Sequence, residues 1–484
     1  MKKIIIILAF LAIFFLGIKA PTDPDFFWHL RYGEEIFKTG QIPYEDRFSF
    51  TFEGYRWADS YWLSEVLIFL LVSKTGFFLP VLVFATISAA TFLAVGFWAR
   101  IKPVNIWATA SAAFISAIVS GSIFGLRPQT ISLALFGLVV IILHQFWRKP
   151  NSRLIFLLPL IFIFWVNSHA GFILGLILIW TFWLGEFGRL LWKRFFSGTK
   201  FTSPQLSFRQ LRSLALSNLL SILATLINPY GLGLWRSVLN DASSAVIKNQ
   251  IVEWTAPDSH SEVGLLFFTF VLTLAILAYL IRMRVNQTQL FLLSTFYFFA
   301  LAAVRHVSVF ALLATPLLAE ELARINWGKI RVPDKKLILI LFFLIFSLTY
   351  AFQFFPQIHK DTRDIENLAL AGNFPYRAVE YLKDYPQKET FNYYSWGGYL
   401  IWQLPENKTF IDGRMSGWKK DKHIILNDHD EIIHTRIGFE EIINFWQIKS
   451  FLIPVDSPLA QYLKISSAWE KVYEDKIAVI FVRR

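Results

Sequence analysis

Long apolar runs return along this chain with short polar breaks between them. They lie at Ile4–Ile18, Phe77–Trp98, Asn105–Ile123, Gln129–Phe146, Leu154–Val166, Gly171–Leu184, Ser213–Ile227, Val263–Ile281, Leu290–Ala303, Val307–Ala319 and Leu337–Phe355. A bilayer core of about 30 Å asks for about 20 apolar residues per helix, or somewhat fewer where flanking polar residues complete the span. Helices are expected, because in lipid a helix satisfies its own backbone. The pattern predicts a polytopic α-helical membrane protein of about 11 transmembrane helices. Composition agrees. The 484 residues are 55% hydrophobic, Phe fills 50 positions, and charged residues reach only 17%, where soluble domains carry about 25%.

The formal net charge of +12 does not point to nucleic acid. The cations sit in short loops between apolar runs, where they set orientation. With Lys2 and Lys3 inside, the inner loops hold Arg100 and Lys102; Arg148, Lys149 and Arg153; the run Arg189–Arg212; Arg282 and Arg284; and Arg324–Lys336. This parity leaves Trp62–Ser73 as a surface helix too short to cross. The N-terminus is then cytoplasmic and the C-terminus extracytoplasmic, in a cell (inner or plasma) membrane. A cleaved leader at residues 1–20 is the alternative, and it sends the next segment to the same side. With no Cys in the chain, neither disulfides nor thiolate chemistry arise.

Two domains are expected. Residues 1–355 form the membrane domain, with a first outer loop over 21–74. Residues 356–484 change to polar, mixed-charge sequence, long enough for a small domain. There "TFNYY", "KTFIDGR", "KSFLIPV" and "IAVIFVRR" read as strands, and "GGYLIWQL", "FEEIINFW" and "SPLAQYL" as helices. That alternation predicts an extracytoplasmic α/β domain.

The chemistry-bearing residues fall on the predicted outer face. Asp23 and Asp25 follow the first span. Carboxylates at i and i+2 can share a divalent cation (Mg2+ or Mn2+) or a proton, and one alone can take a proton from an attacking hydroxyl. The plain alternative is a turn set by Asp before Pro. Phe26, Phe27 and Trp28 would hold the loop at headgroup level. His29, Arg31, Glu34 and Glu35 read as a short salt-bridged helix ending at Gly40. Asp46 and Asp59 read as turn residues. Arg127 and Arg305 stand against the orientation rule, so each needs a partner. Phosphate suits a guanidinium fork, with His306 adding a hydrogen bond. Snorkelling or a salt bridge is the alternative. His169, before Gly171, reads as a helix-cap residue facing the same side. Trp396, beside Gly397-Gly398, could offer an aromatic surface to a sugar or peptide, or simply fill a core.

In order along the chain, "DPDFFWHLRYGEEIFKTGQIP", "DRFSFTFEGYRWADSYWLSEVL", "LRPQ", "WVNSHAGFILG", "NPYGLGLW", "VEWTAPD", "RHVSVFAL" and "YSWGGYLIWQLPENKTFIDGR" resemble membrane glycosyltransferases of the GT-C fold. The chain is most similar to a bacterial group related to protein mannosyltransferases, lipid A aminoarabinose transferases and oligosaccharyltransferase catalytic subunits. The resemblance implies a catalytic acid in the first outer loop, matching Asp23 or Asp25. It also implies a polyprenyl-phosphate sugar donor, and a glycan, lipid or protein acceptor. "SWGGYLIW" is similar to the W-W-D-Y-G region that recognises acceptor peptide, but lacks its aspartate. A lipid-linked glycan transporter or flippase, or a non-catalytic membrane scaffold, are the rival classes. Span centres almost free of charge, with no visible repeat, argue against the transporter.

Overall fold

The computed structural model describes residues 2–99, 104–195, 206–281, 285–325 and 335–484. Arg100 and Lys102, Arg282 and Arg284, and parts of the runs Arg189–Arg212 and Arg324–Lys336 lie outside the described residues. The chain divides into two compact units. One holds residues 1–19, 81–231 and 252–358, and the other holds 20–80, 232–251 and 359–484.

Every predicted apolar run is helical. Among the described residues six helices are long and apolar enough to cross a membrane: Phe78–Trp98, Pro128–Arg148, Phe172–Phe195, Glu262–Leu280, Val304–Arg324 and Leu337–Asp361. Lys2–Gly17, Ile106–Val119, Arg153–Val166, Phe208–Ala224 and Gln287–Ala302 are shorter. Among the described residues, six of these helices reach crossing length on their own. Val307–Arg324 is buried along most of its length and packs on Ile106–Val119. Glu262–Leu280 and Leu337–Asp361 leave most of their apolar side chains uncovered, the state expected of helices that lipid surrounds.

The second unit is built from the acidic loop and the C-terminal segment together. The helix Phe26–Thr39 ends where Gly40 turns left-handed (φ 66°) and its N–H caps the Ile36 carbonyl at 2.8 Å. It crosses the helix Trp62–Thr75 at Gly33. A Cβ at Gly33 would lie 2.2 Å from the Glu65 carbonyl oxygen, so only glycine admits this approach. Trp62–Thr75 has 14 residues, or about 21 Å at 1.5 Å per residue, short of the bilayer core.

The C-terminal part holds a four-stranded sheet. Its strands are β1 (Thr390–Asn392), β4 (Ser450–Pro454), β5 (Trp469–Glu474) and β6 (Ala478–Arg483), in the order β1-β4-β6-β5. β1 runs parallel to β4, and β6 is antiparallel to both β4 and β5. A separate hairpin joins β2 (Lys419–Lys420) to β3 (His423–Ile424). Helices Ile425–Ile433, Phe439–Phe445 and Pro458–Ile465 close a core around Phe391, Phe410, Phe451, Ile453 and Phe481.

"KTFIDGR" is not a strand. It is extended, with isolated bridges from Thr409 to Ser49 and Thr390. Instead of a ladder, the Asn392 side chain serves it. The Asn392 amide nitrogen donates to the Ile411 carbonyl at 2.8 Å, and its oxygen accepts the Phe410 N–H at 2.8 Å. Alternating buried apolar residues looked like a strand, but the neighbouring backbone is supplied by one buried side chain.

Candidate active site

An acidic cluster lies in the second unit. Asp23 accepts the Asp25 N–H on Oδ1 at 2.8 Å, and its carbonyl accepts Phe26 N–H at 3.1 Å. It thereby closes the turn that launches the helix. Asp25 occupies the N-cap position, where a carboxylate is favoured by the helix dipole. Its side chain makes no cap bond. Oδ1 instead accepts the Trp28 indole N–H at 2.9 Å. Gly413 presses on the same oxygen: a Cβ there would lie 1.8 Å from Asp25 Oδ1. Tyr394 is also in this neighbourhood. Burial raises its phenol pKa, and the charges of Asp25, Asp412 and Asp23 push the same way, while its hydrogen bond with Ser416 Oγ (3.0 Å) opposes them. The loop around Asp25 is thus floored by the segment Asp412–Ser416.

That floor is pinned by Arg414, whose side chain is 0% exposed. Its Nε and Nη2 take both oxygens of Asp412 at 2.7 and 2.6 Å, and Nη1 takes Asp46 Oδ1 at 2.7 Å. Nη1 also donates to the Tyr32 hydroxyl. Tyr32, Trp57 and Trp418 surround the guanidinium, with ring centres 5.1–5.7 Å from its central carbon. Beside it lie two further buried acids, Asp59 and Glu65. Burial drives the Asp59 pKa up to about 6, against the Tyr61 N–H bond and the Arg414 charge. Burial, then the Asp59 charge, lifts Glu65 well above the carboxylate range. Glu65 Oε1 meets His29 Nδ1 at 2.8 Å.

A basic cluster lies in the first unit, where Arg127, His169, Arg305 and His306 come together. Arg127 sits at the start of Pro128–Arg148 and pairs with Glu253 at 2.9 Å. Arg305 stacks over the Trp254 ring at 4.5 Å, and Val304 N–H bonds the Thr255 carbonyl at 2.9 Å. Among the described residues, no carboxylate lies within ion-pair distance of Arg305. His306 Nδ1 meets the Phe299 carbonyl oxygen at 3.2 Å. His169 is buried and accepts Gly171 N–H on Nδ1 at 2.8 Å. Burial, then the charges of Arg305 and Arg127, lowers its pKa to about 3, so it is a neutral imidazole. Lys19 joins the group: it donates to the Gly121 carbonyl, and burial followed by the Arg127 charge lowers its pKa.

Trp396 is buried, and its indole N–H donates to the Asn373 carbonyl at 3.1 Å. Its surface is spent on the fold. Gly397 and Gly398 serve close packing, with Gly398 against the Pro24 carbonyl oxygen. Asp46 and Asp59 do make the expected turn bonds, to Ser49 N–H (3.0 Å) and Tyr61 N–H (2.8 Å), but both also belong to the buried network. Sequence reasoning missed Lys19, Glu65, Glu253, Trp254, Asp412 and Arg414. Lys19 and Glu65 gave a signal, a cation just past the predicted outer end of a span and an acid inside an apolar helix. Arg414 gave none, since its partner Asp46 is distant in sequence.

No three His, Asp or Glu side chains gather as a metal-binding group among the described residues. Asp23 and Asp25 offer two carboxylates. Mg2+ would accept such a pair with water and substrate oxygens completing its octahedron.

Apolar helices of crossing length, an acid-bearing loop and a four-stranded mixed sheet in the C-terminal part are the features of a multi-pass membrane protein with the GT-C fold, as the solved structures it matches show. Solved structures bear this out. The oligosaccharyltransferase of Archaeoglobus fulgidus in the apo form matches with a TM-score of 0.53 at 13% identity, over 94% of this chain and 70% of that one. The same enzyme tethered to an acceptor peptide with the NVT sequon matches at 0.56 and 12% identity, over 100% of this chain and 74% of that one. ArnT from Cupriavidus metallidurans in the apo state matches at 0.49 and 11% identity, over 98% and 95%. No family model matches the sequence, and no curated protein does. The likeness is one of fold.

Proposed function

We propose that this chain is a membrane glycosyltransferase that moves a sugar from a polyprenyl-phosphate donor to an acceptor hydroxyl on a glycan, lipid or protein, at the extracytoplasmic face. Asp25 is the general base and Asp23 its positioning residue, because Asp23 is spent on the turn that sets Asp25 at the helix start. Arg305 takes the departing lipid phosphate, with Arg127 and Lys19 adding positive potential, as preorganised charge does for a developing anion. His169 and His306 are neutral hydrogen-bonding groups there. Trp396 has a structural role in this reading. The eleven-helix count, the two-domain boundary near residue 355 and the outward C-terminus belong to the same proposal. Every step here is carried by protein groups, and none is routed through a metal.

The observation that carries it is Arg305. It is a guanidinium stacked on Trp254 with no carboxylate in reach among the described residues, while its neighbour Arg127 has Glu253. A fixed cation at the end of an apolar helix calls for an anionic ligand, and the fold is one that solved glycosyltransferases share.

The test is turnover of polyprenyl-phosphate sugars by purified protein, read as release of polyprenyl phosphate. Asp25→Asn should lose about 10²–10⁴-fold. Arg305→Lys should weaken donor binding by about 1–3 kcal/mol, since lysine keeps charge but loses the fork. Unchanged donor affinity in Arg305→Ala would remove Arg305 from the site. Uptake of a lipid-linked glycan into proteoliposomes without transfer would favour the transporter class instead.

A further inference from the structure

The sheet of the second unit brings four cations to one of its ends. β1 and β4 are parallel and start together, with Thr390 opposite Ser450. β6 runs the other way and ends there, with Val482 opposite Ser450. One rung further out, Lys449 N–H bonds the Glu389 carbonyl at 3.1 Å, and Arg483 N–H bonds the Lys449 carbonyl at 2.9 Å. The residues at or just beyond these strand ends are therefore Lys388, Lys449, Arg483 and Arg484. Together they line a cavity of about 700 Å³.

The charge there is lopsided. Glu389 is the carboxylate beside these four cations, and it pairs with Lys449 at 3.1 Å. Arg483 rests over Trp469 at 5.9 Å, and Arg484 donates to the Ser467 carbonyl at 3.4 Å. Neither bond neutralises its guanidinium. Arg414 has two acids of the fold on its guanidinium; this cavity instead gathers like charges that repel unless an anion joins them.

The rest of the lining is Pro386, Val482 and three residues with side-chain amides, Gln387, Asn444 and Gln447. Gln447 is informative. The helix Phe439–Phe445 ends in a Schellman motif: Ile448 N–H reaches the Ile443 carbonyl at 3.0 Å, and Gln447 N–H the Asn444 carbonyl at 3.1 Å. Gln447 occupies the left-handed position of that motif, with φ 54°. Glycine is the favoured residue there, and a side chain costs strain that persists where the site has a use for it. Glu389, next to Lys388 in sequence, is also left-handed, with φ 42°.

We propose that this cavity is a binding site for an acidic saccharide, one whose sugars carry carboxylate or phosphate. Amides suit the hydroxyls, and lysines with fork-shaped guanidinia suit the oxyanions. The site is separate from the acid loop and from the Arg305 cluster. It would hold an acidic glycan by its chain, whichever reaction the membrane part performs.

The test uses the full chain in phosphatidylcholine nanodiscs, with tetragalacturonate as probe and calorimetry as readout. Binding at low salt is expected. Lys449→Gln with Arg483→Gln should weaken it by about tenfold or more, the scale of losing charge-assisted bonds. Added salt should weaken it too. Gln447→Gly should weaken binding several-fold without lowering the thermal unfolding midpoint, which separates a ligand role from a structural one. Inorganic phosphate should compete if the oxyanion is the recognised group. Equal binding of a neutral maltotetraose, or of tetraglutamate, would overturn the proposal: the first shows that charge is irrelevant, the second that the sugar is. No binding of tetragalacturonate would overturn it as well. None of these measurements reads sugar transfer, so their failure leaves the catalytic reading where it stood.

Discussion

Replacing Arg414 by methionine keeps much of its length and removes its charge. Asp412 and Asp46, both 0% exposed, would lose their shared cation. Breaking a buried ion pair by deleting one partner costs about 3–5 kcal/mol, because a charge is left behind in a low-dielectric site. Two such charges remain here, but each keeps other donors. Asp412 holds the residue-414 N–H at 3.0 Å, and Asp46 holds Ser49 N–H at 3.0 Å and Ser49 Oγ at 2.5 Å. The lower end, about 3 kcal/mol, is therefore the expected loss. With a urea slope of about 2 kcal/mol/M, the midpoint of the second unit should fall by about 1.5 M. Pulse proteolysis in detergent, scored by cleavage within 359–484, reads that unit. Adding Asp46→Asn and Asp412→Asn should restore more than half of the loss. A midpoint equal to wild type would refute the reasoning.

Asp59 offers a pH test. Burial holds its folded pKa at about 6, above the ordinary aspartate value of 3.8. The folded state then holds the proton more tightly, and stability falls as pH rises from about 4 to 6, by on the order of 3 kcal/mol. Asp59→Asn should abolish that slope, measured as the difference from wild type, and an unchanged slope would exclude Asp59 as its source. Gly413→Ala drives a methyl into Asp25 Oδ1 and should cost about 1–3 kcal/mol of overpacking and most of the transfer activity. Gly188→Ala, with nothing within 4 Å, should cost neither. The absence of Cys permits single-site labelling of orientation. His260→Cys and Ser467→Cys, both exposed, should react with an impermeant thiol reagent on intact cells, and Asn151→Cys only after permeabilisation. Labelling of Asn151→Cys on intact cells would invert the topology.

The membrane part was legible because lipid leaves few choices. Each apolar run had to be a helix, and each is. The acid-loop helix was legible for a local reason, a left-handed Gly40 closing a charged amphipathic segment. β4 and β6 were legible as apolar runs. β5, "WEKVYE", was not. It is an edge strand with three charged residues and a register shift at Lys471/Tyr473, so its alternation is weak. Two-residue strands such as β2 and β3 leave no period to read.

The candidate site was half legible for a different reason. A local signal marks a residue whose neighbours explain it badly, and Arg127 and Arg305 were such residues, cations on the wrong side of the orientation rule. Asp46 and Asp59 sent the opposite message. Their turn bonds explained them completely, and that sufficiency hid their second role. An acid that caps its own turn can still point its other oxygen into a core. Asp46 does so toward Arg414, and Asp59 toward Glu65. The same geometry separates Asp23 from Asp25, which the spacing D-x-D could not. Both flank one proline, yet one carboxylate is folded back on the backbone and the other is turned to Trp28 and Gly413. If catalysis needs a carboxylate set by the fold instead of by its own turn, Asp25 is the residue placed for it. Asp23→Asn, whose side-chain oxygen can still accept the Asp25 N–H, should then keep most of the activity that Asp25→Asn loses. Equal losses in the two variants would mean that the pair acts as one unit, and the assignment of a single base would fail.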